Sequence, residues 1–133
     1  MAFWSPQSES TDPNRFGLLV SAQSCVGPAG YEFIMGGVAQ ASAIEAAEIV
    51  SGKPLLWSTI QFVNAGFVNQ SIDIEVEVLG GGRSISQVLV RLTAEGTVLQ
   101  TMSAALGGRQ GKQRQFVSMP AVAPPESCSV KTD

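Results

Sequence analysis

The clearest pattern in the chain is a strict alternation over Gln70–Leu79. Ile72, Ile74, Val76 and Val78 fall on one side; Asp73, Glu75 and Glu77 fall on the other. A period of two with that polarity predicts an antiparallel strand buried on one face and wet on the other. Gly80-Gly81-Gly82 predicts a turn, Arg83–Ala94 a further strand, Glu95-Gly96 a tight turn and Thr97–Leu106 a last strand. Leu55–Asn64, apolar and β-branched or aromatic at most positions, predicts a strand ahead of these. Phe16–Val26 predicts the first strand, weakened by Gly17 and ended by the turn Gly27-Pro28-Ala29-Gly30.

One segment breaks the β pattern. Gly36–Ser51 carries Ala39, Ala41, Ala43, Ala46 and Ala47, all strong helix formers, and Gly52 followed by Pro54 stops it. Glu45 and Glu48 are its only charges, so the helix is expected to be buried nearly all round. One apolar helix followed by a four-stranded meander is an α+β pattern, and a long sheet wrapping the helix is the simplest way to bury it. Residues 1–15 are polar and turn-rich and are expected to form a flexible arm, with Phe3 and Trp4 as anchors. Residues 16–107 then form the domain. Residues 108–133 are first polar and then proline-rich, which predicts an extended linker or tail.

Composition narrows the chemistry. The 133 residues are one domain's worth, 44% hydrophobic and 14% charged, with no histidine. A Ser-His-Asp or Cys-His relay and a histidine-ligated zinc are therefore excluded for this chain alone. A general acid or base must come from a carboxylate, Lys, Tyr or a partner chain. The net charge of −3 implies no nucleic-acid surface. No apolar run exceeds Met1–Trp4, whereas a membrane helix needs roughly 20 residues. Cys25 and Cys128 lie far apart and form no metal spacing, and no metal or cofactor is expected. With no export signal in view, a cytoplasmic location with reduced thiols is the expectation.

Three segments carry a resemblance. They are Gly36-Gly37 with Ala39-Gln40-Ala41, Phe62-Val63-Asn64-Ala65-Gly66, and Gly82-Arg83-Ser84-Ile85-Ser86 followed by Val90, Gly96 and Met102-Ser103-Ala104. Together, over Phe16 to Leu106, they resemble the N-terminal hotdog of the type II (TesB-like) double-hotdog acyl-CoA thioesterases. The tail Met119-Pro120-Ala121-Val122-Ala123-Pro124-Pro125-Glu126 resembles the linker between the two hotdogs of that family. The resemblance implies a hotdog fold, in which a curved antiparallel sheet wraps one central apolar helix. It also implies hydrolysis of acyl-CoA in fatty acid metabolism. Asn64-Ala65 stands where the family has Arg-Pro, and the glutamine sits nearer the glycine pair. The second hotdog, which in the family carries the Asp, Thr/Ser and Gln set that activates water, has no counterpart in these 133 residues.

Within that frame the polar groups near the helix become candidates. Backbone N–H at Gly36 and Gly37 would hold a thioester carbonyl as it turns anionic, or the pair simply turns the chain into the helix. Gln40 would orient water. Glu45 would act as a general base, or lie at a surface or dimer seam. Related single-hotdog thioesterases of the four-hydroxybenzoyl type place a carboxylate where this chain has Ile44, and one residue is about 100° of helix rotation. Thr59 and Gln61 share a strand face: turned inward they line the acyl site with Asn64, turned outward they meet solvent. Gly80-Gly81-Gly82-Arg83 joins two strands and is no phosphate loop, but Arg83 would suit a CoA phosphate. Arg109, Lys112 and Arg114 either meet those phosphates or stay solvated.

Two functions therefore remain open. One is an acyl-CoA thioesterase with catalytic Gly37, Gln40, Glu45 and Thr59. The other is a non-catalytic acyl-binding or assembly hotdog, half of a double-hotdog protein. A hotdog dehydratase would need the missing histidine. An exposed sheet edge predicts a homodimer, or pairing with a second hotdog.

Overall fold

The computed structural model of the protein describes residues 2–9, 11–108 and 117–129. The strands are β1 (Gln7–Ser8), β2 (Arg15–Leu19), β3 (Cys25–Val26), β4 (Phe33–Ile34), β5 (Leu55–Phe62), β6 (Ser71–Gly81), β7 (Ile85–Ala94) and β8 (Thr97–Gly107). The helix α1 spans Gly36–Ser51, as its alanine pattern predicts, and Gly52 ends it in the left-handed conformation at φ 64°. Glu48 clasps the exit turn: its backbone oxygen accepts from Gly52 N–H, and its carboxylate accepts from Leu55 N–H at 2.8 Å.

Six strands form one antiparallel sheet in the order β1-β2-β6-β7-β8-β5. Only β6, β7 and β8 form a meander. The predicted four-stranded meander is corrected by β5, which pairs with β8 from Trp57↔Ala105 to Phe62↔Gln100 and lies at the far edge. The link 63–70 therefore crosses the end of the sheet. Val63 N–H and Asn64 N–H both reach Leu99 O, and Asn69 N–H reaches Val20 O. On β6, Ile72, Ile74 and Val76 point into the core; Val78 keeps the register opposite Val88 but is exposed, and a bulge between Val78 and Gly80 shifts the pairing beyond it. The strand runs on to Gly81, so the β6–β7 turn lies at Gly82-Arg83-Ser84, not over the three glycines.

The predicted strand Phe16–Val26 is split. After β2 the chain leaves the sheet, takes a short 3₁₀ turn at Ala22–Ser24, and pairs β3 with β4. This break has a use: the buried Ser24 carbonyl accepts from Met35 N–H at 2.8 Å and so fixes where α1 begins.

The sheet covers one side of α1, burying Val38, Ala39, Ala43, Ala46 and Ala47 against Phe16, Leu92, Met102 and Leu106. The opposite side is not covered by any described strand, so the expectation of a helix buried nearly all round is corrected. Gly37 and Ile49 are exposed and Glu45 is half-buried. The first residues run beside the helix. Ser42 Oγ donates to Trp4 O at 2.6 Å and lies 3.0 Å from Val38 O; Gln7 and Ser8 pair with Gly17 and Phe16. Phe3 and Trp4 touch edge to face, but both rings stay about 40% exposed, so backbone carbonyls make the attachment. Ser42→Ala removes a buried hydroxyl and leaves Trp4 O unpaired. It is expected to cost about 1 kcal/mol, read as an earlier midpoint in urea unfolding with unchanged slope.

Candidate functional site

The start of α1 has no side-chain cap. Met35 N–H is held by Ser24 O, while Val38 N–H and Ala39 N–H both point back to Met35 O. Among the described residues, Gly36 N–H and Gly37 N–H have no acceptor. Two free donors at the positive end of the helix dipole favour a developing negative charge.

Beside this helix end lies a cavity of about 320 Å³, within the range of small-molecule sites. Gly36 and Ala39 form its helix wall, Phe33 and Ile34 of β4 one flank, and Phe62 to Ala65 the other; Ile72, Leu92, Leu99 and Gln100 close it. The walls are apolar except for Asn64 and Gln100, and no lining residue is titratable. Phe62 stands at the mouth, largely exposed, with its ring tip against Gly36.

Gln100 was not among the residues singled out from sequence. A bulge puts it here: Leu92 pairs with Gln100 but Thr93 pairs with Val98, so Leu99 is an extra residue on β8. Leu99 O accepts from both Val63 and Asn64 N–H, and Asn64 Nδ2 donates to Val98 O at 2.8 Å, which ties the bulge to the end of β5. Such a bulge lets consecutive residues face inward, and Leu99 and Gln100 both line the cavity. Gln100 is 1% exposed, and neither its Oε1 nor its Nε2 has a hydrogen-bond partner. The available signal was register: counting back by two from Leu106, Ala104 and Met102 places an amide at Gln100 in a row of core positions.

The other candidates are dispersed. Gly36 and Asn64 line the cavity. Gly37, next to Gly36 but outside the lining, is exposed, and a methyl built on it would meet nothing within 4 Å, so its backbone is openly accessible. Gln40 is half-buried and outside the lining. Glu45 lies nine residues beyond Gly36, about 13 Å along the axis. Ile60 packs on the core, so the neighbouring Thr59 and Gln61 face outward and are exposed; the inward alternative does not hold. Arg83 is exposed in the β6–β7 turn, nine residues and about 30 Å of strand from Leu92. Arg109, Lys112 and Arg114 lie outside the described residues. Cys25 and Cys128 are free thiols, and burial, then the charge of Glu32, pushes the Cys25 thiol up, away from a reactive thiolate. No helix among the described residues is long and apolar enough to cross a membrane.

A curved six-stranded antiparallel sheet holding one helix, with a cavity at the helix start, defines a hotdog domain of the thioesterase class. More particularly, residues 26–107 match the family described as the acyl-CoA thioesterase N-terminal domain, and the chain belongs to that family. No curated protein matches the chain. Among solved structures it is similar to a protein from Novosphingobium aromaticivorans described as a candidate thioesterase, with 31% identity and a TM-score of 0.81 over 96% of this chain and 50% of that one. It is also similar to a tesB protein of Mycobacterium avium subs paratuberculosis, with 25% identity and a TM-score of 0.72 over 94% of this chain and 47% of that one. A Streptococcus mutans protein bound to acetyl-CoA shares the fold at 18% identity and a TM-score of 0.69, over 83% of this chain and 95% of that one. The chain spans about half the length of the first two.

Proposed function

We propose that this domain serves the hydrolysis of acyl-CoA thioesters to free acid and CoA. The acyl group would enter the helix-end cavity, and the thioester carbonyl oxygen would meet Gly36 and Gly37 N–H. The observation that carries this reading is the pair of acceptor-free N–H groups beside an apolar cavity, in a chain of the acyl-CoA thioesterase family. When water adds to the carbonyl carbon, the oxygen gains charge that these donors and the helix dipole stabilise. One such donor is typically worth about 10²–10³ in rate. The acetyl-CoA in the Streptococcus mutans neighbour supports a CoA thioester as the ligand.

Water must also lose a proton, and no titratable side chain lines the cavity. The base therefore comes from a second hotdog, in a homodimer or in a longer protein. Strand β5 is an edge strand with Leu56, Trp57 and Phe62 at least half exposed, which suits such a partner. Glu45, on the uncovered side of α1, is the carboxylate such a partner would find. The same observation supports the second reading, in which this chain by itself is the acyl-binding half.

Titration calorimetry and a thiol-release assay with acyl-CoAs of graded length separate the cases. Binding with turnover by the purified chain is the expected result for a self-sufficient homodimer. Binding without turnover, in a chain that sediments as a dimer, assigns it the acyl-binding half. Absence of binding at every length would remove both.

A further inference from the structure

We propose that Gly66, which does not itself line the cavity, sets the longest acyl chain the cavity takes, near ten carbons. This rests on reading the cavity as the acyl-thioester site.

The lining divides by exposure. Phe62 to Ala65 are exposed and form the mouth, while Ile34, Ile72 and Leu99 are among the buried residues that form the closed end. An acyl chain that enters at the mouth therefore ends against these side chains. The volume of about 320 Å³ holds roughly ten methylene-sized groups, at the ~30 Å³ that a group of water's size occupies.

Gly66 is buried and packs against three residues of the lining, one each from β4, β6 and β8. A Cβ on it would stand 2.9 Å from Leu99 Cδ1, 3.4 Å from Ile34 Cγ2 and 3.6 Å from Ile72 Cδ1. The backbone does not call for glycine here, because Gly66 is not in the left-handed region. What calls for it is space. Nor is the link free to back away: Gly66 O accepts from Ile34 N–H at 2.8 Å, and the next residue, Phe67, bridges to Phe33. A methyl added at 66 must therefore move the ends of the three side chains. On their other sides these belong to the close-packed core, which has no room to give. The free volume that all three border is the cavity. With no side chain at 66, Leu99 above all lies close against the backbone and leaves the cavity its full depth. With one, the closed end moves inward.

The test is titration calorimetry of the full chain with straight-chain acyl-CoAs from butyryl to tetradecanoyl. Wild-type affinity is expected to climb about fourfold per methylene and to level off near ten carbons. Gly66→Ala should keep the affinity for butyryl-CoA but level off one or two carbons sooner, so that decanoyl-CoA binds about four- to sixteenfold more weakly. Leu99→Ala should shift the limit to longer chains. Combined with Gly66→Ala it removes the 2.9 Å approach and should bring the limit back to that of wild type or beyond; this double variant also serves should Gly66→Ala alone disturb the fold. An unchanged limit in Gly66→Ala, a loss equal at every length, or a wild type that never levels off would overturn the inference and leave the acyl site standing. If wild type binds none of the series, the acyl reading fails, and the inference with it.

Discussion

Ala39→Leu is expected to leave the chain folded and to weaken acyl-CoA binding by about fiftyfold. Ala39 sits in the first turn of α1, 5% exposed, with its methyl on the cavity wall. Leucine adds three carbons that have nowhere to go but the cavity. Each methylene of substrate so displaced forfeits about 0.8 kcal/mol of burial. Three of them amount to about 2.4 kcal/mol, or roughly fiftyfold in affinity. Overpacking normally strains a core, but here about 320 Å³ of free space takes the side chain up, so urea stability should hold or rise. The donors at Gly36 and Gly37 stay untouched, which separates loss of acyl room from loss of carbonyl binding. Wild-type affinity in this variant would show that the acyl group lies elsewhere.

Gly107→Ala is expected to be the most destabilising small substitution in the domain. Gly107 closes β8 at φ 128°, a conformation that side-chain-bearing residues rarely adopt. A Cβ there would collide with the carbonyl oxygen of Ser84 and crowd the Ile85 Cα at 3.1 Å. Both are backbone atoms, of the last residue of the β6–β7 turn and the first of β7, and they cannot swing aside as a side chain can. The same glycine donates to Pro54 O at 2.8 Å, so it joins the ends of β8 and β7 to the start of β5. Backbone strain of this kind costs about 1–3 kcal/mol before any clash, so a loss of about 3 kcal/mol and a Tm lower by about 10 °C or more are expected. Gly80→Ala is the control: its Cβ would meet nothing within 4 Å, and a change within about 0.5 kcal/mol is expected. Calorimetry on both checks the contrast; equal transitions would refute it.

The parts of the fold that could be read directly were those governed by local preference. Alanine content and the Gly52 stop placed α1 at Gly36–Ser51, and alternation placed the inward side chains of β6 as far as Val76. The split after β2 leaves no local mark because no glycine or proline stands between Gly17 and Gly27; what ends β2 is the start of β6 and the crossing link at Asn69. The place of β5 beside β8 escaped for a similar reason. Strands adjacent in sequence usually pair, and no residue of β5 announces that its partner lies some forty positions on.

The candidate site shows the same division. Gly36 and Asn64 could be named because each sits at an element's end, where backbone donors or turn side chains are left over. Thr59 and Gln61 could only be assigned to one face together, and which face is inward depended on Ile60 meeting the core. By itself the amino-acid sequence determined an α+β domain with one alanine-rich helix, a glycine pair at its start, no histidine chemistry and an amide in a core register. Tertiary structure alone decided that Gly36 N–H and Gly37 N–H remain without acceptors, and that Gln100 is buried beside a register shift with neither amide atom partnered. Alternation and helix propensity act between neighbours in the chain, whereas burial, register shifts and unpaired polar atoms arise from segments that meet only when the sheet closes over the helix.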